Sequence, residues 1–79
     1  MTHILLVDNE PAILDIVTRY LSKEGYQVTT AMNGQEALGH YRAQAVDLII
    51  TDIMMPQMDG YDFIDAVLQL REDQPFIFI

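Results

Sequence analysis

A chain of 79 residues holds one domain at most and buries only about 60 to 65% of its unfolded surface, so its core is small. With no cysteine it has no disulfide framework and no thiolate zinc site, and a composition of 51% hydrophobic and 20% charged residues argues against disorder. Twelve acidic against four basic side chains give a formal charge of −8, which opposes binding to nucleic acid and to anionic membrane surfaces and favours cations.

The N-terminus has neither the basic segment nor the small-residue cleavage site of a signal peptide. The longest apolar runs are about five residues, far short of a membrane span, and a cytoplasmic location is expected. Ile4 to Val7 is a continuous apolar run, too short for a helix and suited to a strand covered on both faces. Pro11 suits the first turn of a helix, and Ile13, Leu14, Ile16, Val17, Tyr20 and Leu21 recur at helical spacing as far as Gly25, a natural stop.

Tyr26 to Thr30 has the β-branched and aromatic character of a second strand. Asn33 then caps a short helix to about Ala43, with Glu36 placed to reach back and with Gly39 weakening it by roughly 1 kcal/mol relative to alanine. Val46 to Thr51 is another buried-type strand that ends directly at Asp52, before an irregular segment broken by Pro56. Asp59-Gly60 marks a turn with Asp59 as a helix cap, and Tyr61, Ile64, Val67 and Leu68 form a third helical stripe to about Arg71. Pro75 introduces a last apolar strand, Phe76 to Ile79.

Strand alternates with helix throughout, and right-handed crossovers then give a parallel sheet with helices on both faces, an α/β class. The final strand needs cover that no residue after Ile79 supplies, so the chain reads as incomplete. Its uncovered edge and faces are expected to drive self-association, by pairing of edge strands, by exchange of elements between chains, or by docking onto a remainder of the protein.

Asp8 follows the first strand and Asp52 the third, and in doubly wound sheets the C-terminal ends of the strands at the switch point form the ligand crevice. Two carboxylates about 4 Å apart repel by roughly 4 kcal/mol at an effective dielectric near 20, which a divalent cation relieves. Oxygen ligands suit magnesium, whose coordination is commonly completed by a phosphate oxygen. Asp52 is the candidate nucleophile toward phosphorus, because it ends a buried strand and heads the loop containing Pro56.

Val7-Asp8-Asn9-Glu10-Pro11 resembles the acidic turn of bacterial response-regulator receiver domains, and Asp52 through Gly60, with Pro56 and the terminal Asp59-Gly60, resembles their phosphoacceptor loop. The resemblance covers the whole chain and implies a flavodoxin-like, doubly wound parallel sheet. The expected piece is the N-terminal two thirds of a receiver, residues 1–79, with about four strands in order 2-1-3-4 and three helices, the fifth strand and last two helices absent. It further implies that Asp52 accepts a phosphoryl group from a sensor histidine kinase in a two-component phosphorelay. Mg2+ would be held by Asp8, Asn9, Asp52 and the backbone carbonyl of Met54. Two departures stand out: Asn9 replaces a usual second acidic ligand, which predicts weaker magnesium binding, and the switch hydroxyl and phosphate-pairing lysine of the family are missing.

Blander readings accompany these. Asp8 and Asp52 could be solvated strand-end carboxylates, and Asn9 with Glu10 and Pro11 mere helix capping. Met54, Met55 and Met58 fit gap-filling, His3 and His40 lack a partner at metal-ligand spacing, and Asp59, Asp62 and Asp65 fit a capped, solvated face. The rival function is a truncated or degenerate receiver acting as a phosphorylation-independent interaction module. A small aspartyl-nucleophile hydrolase is disfavoured, because the haloacid dehalogenase-like pattern needs an Asp where Met54 stands, so no enzymatic turnover is expected.

Overall fold

The apolar run at the N-terminus forms β1 (His3–Val7), and all five residues are buried, as a strand covered on both faces requires. The computed structural model describes residues 1–79. After β1 come α1 (Pro11–Lys23), β2 (Gln27–Ala31), α2 (Gly34–Ala43), β3 (Leu48–Thr51), α3 (Gly60–Leu70) and β4 (Phe76–Phe78). One sheet holds the strands in the order β2-β1-β3-β4, with every pairing parallel. This is the expected 2-1-3-4 arrangement with three helices.

Local chemistry fixes the ends of the helices. Pro11 opens α1, and Gly25, at φ +91°, closes it in a Schellman arrangement in which Gly25 N–H donates to Ser22 and Tyr26 N–H to Leu21. Asn33 Oδ1 accepts from Glu36 N–H at 2.8 Å to start α2, and Asp59 Oδ1 accepts from Asp62 N–H at 2.9 Å to start α3. Glu36 does reach back, although to the N–H of Met32 at 3.5 Å rather than to that of Asn33.

α1 packs on β1 and β2 across one face of the sheet, while α2 and α3 pack on each other across the opposite face. There Leu5, Val7, Ala31 and Ile49 of the sheet meet Ala37 and Leu38 of α2 and Phe63, Ile64 and Val67 of α3 in the main core.

The structure corrects the two helical stripes. On α1 only Leu14 is buried, with Ile13, Val17 and Leu21 half-buried, whereas Ile16 and Tyr20 are 52% and 70% exposed. They form a second apolar column about a quarter turn away from the face that meets the sheet. On α3 Ile64 and Val67 are buried as read, but Phe63, fully buried, joins them in place of Tyr61, which lies outside with its ring edge-on to Phe78 at 5.2 Å. Strand limits move slightly: β1 begins at His3, β2 runs one residue later than expected, and β3 and β4 are shorter.

Candidate functional site

The site is built by the register of two parallel strands. Val7 of β1 lies beside Thr51 of β3, so the next residue on each strand, Asp8 and Asp52, leaves the sheet side by side at its C-terminal edge. The backbone locks this juxtaposition: Asp52 N–H donates to Val7 O at 2.9 Å and Asp8 N–H donates to Ala31 O at 3.1 Å. Neighbouring strands lie about 4.8 Å apart, which keeps the two side chains within reach of one ion.

Asp8 is buried to within 5% of full enclosure, yet it has no Lys, Arg or His partner. Its Oδ1 accepts from Glu10 N–H at 2.9 Å and holds the turn into α1. Of the bland capping reading, Glu10 takes the N-cap position without a side-chain bond and Pro11 opens the helix, while Asn9 is exposed and Asp8 holds the turn. Asp52 is half-buried, and its Oδ1 receives only a long bond, 3.4 Å, from Met54 N–H. The Met54 carbonyl accepts no backbone bond.

This donor set is all oxygen: two carboxylates, an amide oxygen and a backbone carbonyl. A buried carboxylate with spare lone pairs and no cationic partner fits a hard cation such as magnesium. No three His, Cys, Asp or Glu side chains converge anywhere in the chain, so a cation here depends on the amide and carbonyl as well as the acids.

Three features of the site escaped the sequence. Gly60 read only as a turn residue, but a Cβ there would sit 2.2 Å from the Asp52 carbonyl oxygen and 2.9 Å from Ile53 Cα, so the start of α3 presses directly on the backbone of the candidate nucleophile. Gly60 N–H also donates to Ile53 O at 2.8 Å. Gln57 adopts φ +70°, a left-handed conformation that lets the loop turn back after Pro56. The buried Thr51 hydroxyl donates to Asp52 O at 2.9 Å. The Asp-Gly pair was the one visible signal; the others depend on how the loop folds back.

All four basic residues lie away from this end. Arg19 pairs with Asp15 at 3.1 Å on α1, Lys23 and Arg42 occupy last helical turns, and Arg71 follows α3. Helices run antiparallel to the strands in such a fold, which carries their C-termini to the opposite edge of the sheet.

Comparison with known proteins agrees with this geometry. The model of the response regulator receiver domain family matches residues 4–79. Response regulator SaeR of Staphylococcus epidermidis is 46% identical over 79 residues, covering all of this chain and 34% of SaeR, so the chain spans about a third of that relative. Chemotaxis protein CheY4 of Vibrio cholerae superposes with a TM-score of 0.95 at 35% identity, over 99% of this chain and 67% of that one. Response regulator TrrA of Thermotoga maritima, solved with Mg2+ and BeF, gives a TM-score of 0.89 at 36% identity, over 99% and 66% of the two chains. TrrA has also been solved in complex with the histidine kinase ThkA, with a TM-score of 0.92 at 37% identity, over 99% and 67%. With its parallel 2-1-3-4 sheet and paired strand-end aspartates, the chain belongs to the response regulator receiver domain family of two-component signalling.

Proposed function

We propose that this chain is a phosphoacceptor module in which Asp52 takes a phosphoryl group from the phosphohistidine of a sensor histidine kinase. The observation that carries this reading is the parallel β1–β3 register, which sets a half-buried Asp52 beside a buried Asp8 that has no cationic partner. A lone pair of an Asp52 carboxylate oxygen forms the new O–P bond as the P–N bond to the donor imidazole breaks, and the imidazole keeps the electron pair and takes up a proton. The product is an acyl phosphate on the protein, formed once per chain rather than turned over.

Asp8, Asn9, Asp52 and the Met54 carbonyl would hold Mg2+, which when bound offsets the negative charge that gathers around phosphorus. Asp8 orients the turn through Glu10 N–H, and Met54 N–H steadies the Asp52 carboxylate from the loop. Gly60 permits the close approach that fixes the Asp52 backbone. TrrA, with its Mg2+ complex and its kinase complex, supports both the ion and the partner. No helix is long and apolar enough to cross a membrane, which is compatible with the proposed cytoplasmic setting, and the charge of −8 argues against binding to nucleic acid by this chain.

One observation favours a second reading. Asn9 is neutral and exposed, and no basic side chain reaches the site, so a module that binds a partner without phosphotransfer also fits. Intact mass and peptide mapping after treatment with acetyl phosphate separate the two. The phosphoacceptor reading predicts a magnesium-dependent gain of one phosphoryl group at Asp52 that Asp52→Ala abolishes. Equal labelling of Asp52→Ala would sink it, and no labelling at all would favour the binding module.

A further inference from the structure

The turn between β2 and α2 adds no oxygen to the donor set, yet it touches both sides of the site. Ala31 O, at the end of β2, accepts from Asp8 N–H at 3.1 Å. A turn later, Gly34 N–H, the first of α2, donates to Met58 O at 3.2 Å. One short segment thus holds the strand end that carries Asp8 and the far limb of the loop that Asp52 heads.

The bond from Gly34 is the loop's one backbone anchor to the rest of the chain. Gly60 N–H, donating to Ile53 O at 2.8 Å, closes the loop on itself, and no other backbone group from Met54 to Met58 has a backbone partner. Gln57, at φ +70°, stands immediately before Met58 and turns the chain back toward α2. Met55 and Met58 add side-chain packing against the main core.

Position 34 is buried and leaves no room for a side chain. A Cβ there would lie 2.5 Å from Met58 O and 2.8 Å from both Met58 Cβ and Met58 Cγ. The carbonyl is backbone, so it yields only if the loop moves. Gly39, on the same helix, would have nothing within 4 Å of its Cβ, so the tightness at Gly34 belongs to the loop contact and not to the helix. The first N–H groups of a helix have no partner within it, and here one of them is spent on the loop.

We propose that Gly34 is a positioning residue of the phosphoacceptor site: it holds Met58 and, through the loop, sets where the Met54 carbonyl stands relative to Asp8 and Asp52. This rests on the phosphoacceptor reading, which makes that carbonyl a ligand of Mg2+. Gly34 itself touches neither the ion nor the phosphoryl group. Magnesium demands near-ideal octahedral geometry, so a loop that shifts at Met58 weakens the ion's hold without any ligand being changed. Coupling of this kind is reciprocal: the factor by which the Gly34–Met58 contact favours Mg2+ is the factor by which Mg2+ favours the contact.

Amide hydrogen exchange of the unmodified chain, followed by NMR with and without Mg2+, reads that coupling directly. Glu36 N–H is the internal control, held in the same helical turn by Asn33 Oδ1 at 2.8 Å and not bonded to the loop. Saturating Mg2+ should slow exchange at Gly34 by about tenfold and leave Glu36 nearly unchanged. Gly34→Ala should weaken Mg2+ binding in calorimetry by a similar factor, and its labelling by acetyl phosphate should be slow at limiting Mg2+ and recover at saturating Mg2+. Gly39→Ala should bind Mg2+ as the unmodified chain does, and so should Gln74→Leu, which disturbs the opposite edge of the sheet. The exchange measurement needs no variant and decides the question if Gly34→Ala does not fold. Equal slowing at Gly34 and Glu36, no slowing at Gly34 while Mg2+ binds, or unchanged Mg2+ affinity in folded Gly34→Ala would overturn the inference and leave Asp52 as the phosphoacceptor. A chain that binds no Mg2+ at all would overturn the metal-assisted reading and this inference with it.

Discussion

The two ends of the sheet treat buried polar groups in opposite ways. At the N-terminal edge, Gln74 is 3% exposed and has its side chain occupied: Oε1 accepts from Tyr41 Oη at 2.9 Å and from Arg71 Nη1 at 3.3 Å, while Nε2 donates to Pro75 O at 2.9 Å. His3, expected to be isolated, is buried there and bridges strands, Nδ1 lying 2.6 Å from Ala45 O and Nε2 2.8 Å from Thr29 Oγ1. The Ala45 carbonyl can only accept, which places a proton on Nδ1. At the C-terminal edge, by contrast, Asp8 is equally enclosed but spends one oxygen on Glu10 N–H and faces no cation. The buried polar side chains at the N-terminal edge satisfy one another, whereas Asp8, in the proposed magnesium site, keeps capacity in reserve.

The largest expected effect breaks the ligand end through its backbone. Gly60→Ala drives a methyl into the Asp52 carbonyl and Ile53 Cα, and should cost about 3 to 4 kcal/mol in urea unfolding. A cost below about 1 kcal/mol would mean that the loop can retreat and that Asp52 is not pinned. Next, Gln74→Leu at the satisfied end leaves the Tyr41 hydroxyl without its acceptor, while the Pro75 carbonyl keeps its bond from Ile49 N–H, and should cost about 2 kcal/mol.

Asp8→Asn should act in the opposite sense. It keeps the acceptor for Glu10 N–H, removes an uncompensated buried charge, and should raise stability without magnesium by about 1 kcal/mol. A loss instead would show that Asp8 is already satisfied, like Gln74, and would erase the contrast between the ends. The smallest effect is a pH dependence. Burial pushes the Tyr41 hydroxyl above its ordinary 10.0, against the lowering influence of Arg71. Its contribution to stability is therefore whole below pH 10 and is lost as pH rises through the folded value, because the unfolded chain gives up the proton first. Tyr41→Phe should remove that decline in unfolding experiments above pH 10.

Much of this was legible from local pattern. Ile4 to Val7 and Val46 to Thr51 announced buried parallel strands, the second beginning at Leu48 in the structure, and once the strands were placed the topology brought Asp8 and Asp52 to the same edge. Asn33, Asp59 and Gly25 announced their caps through side-chain and backbone chemistry confined to one turn. What stayed hidden depended on approach between distant segments. Phe63 and Tyr61 both suit a helical stripe, and only the tilt of α3 decides which is buried. Gly60 looked like any turn glycine because the atoms that exclude a Cβ belong to Asp52 and Ile53, just after β3. Gln74, a polar residue in an exposed-looking stretch, gave no sign that Tyr41 and Arg71 would enclose it. His3 likewise depends on β2 and on the segment before β3.

A magnesium titration of the thermal midpoint, run on the chain and on Asp8→Asn, tests the reserve capacity of the C-terminal edge most directly. At ten times the dissociation constant a bound ion adds about 1.4 kcal/mol, which for a domain of this size raises the midpoint by roughly 6 to 11 °C. The account predicts that rise for the chain and little or none for Asp8→Asn. No rise for the chain, or the same rise in both, would contradict it.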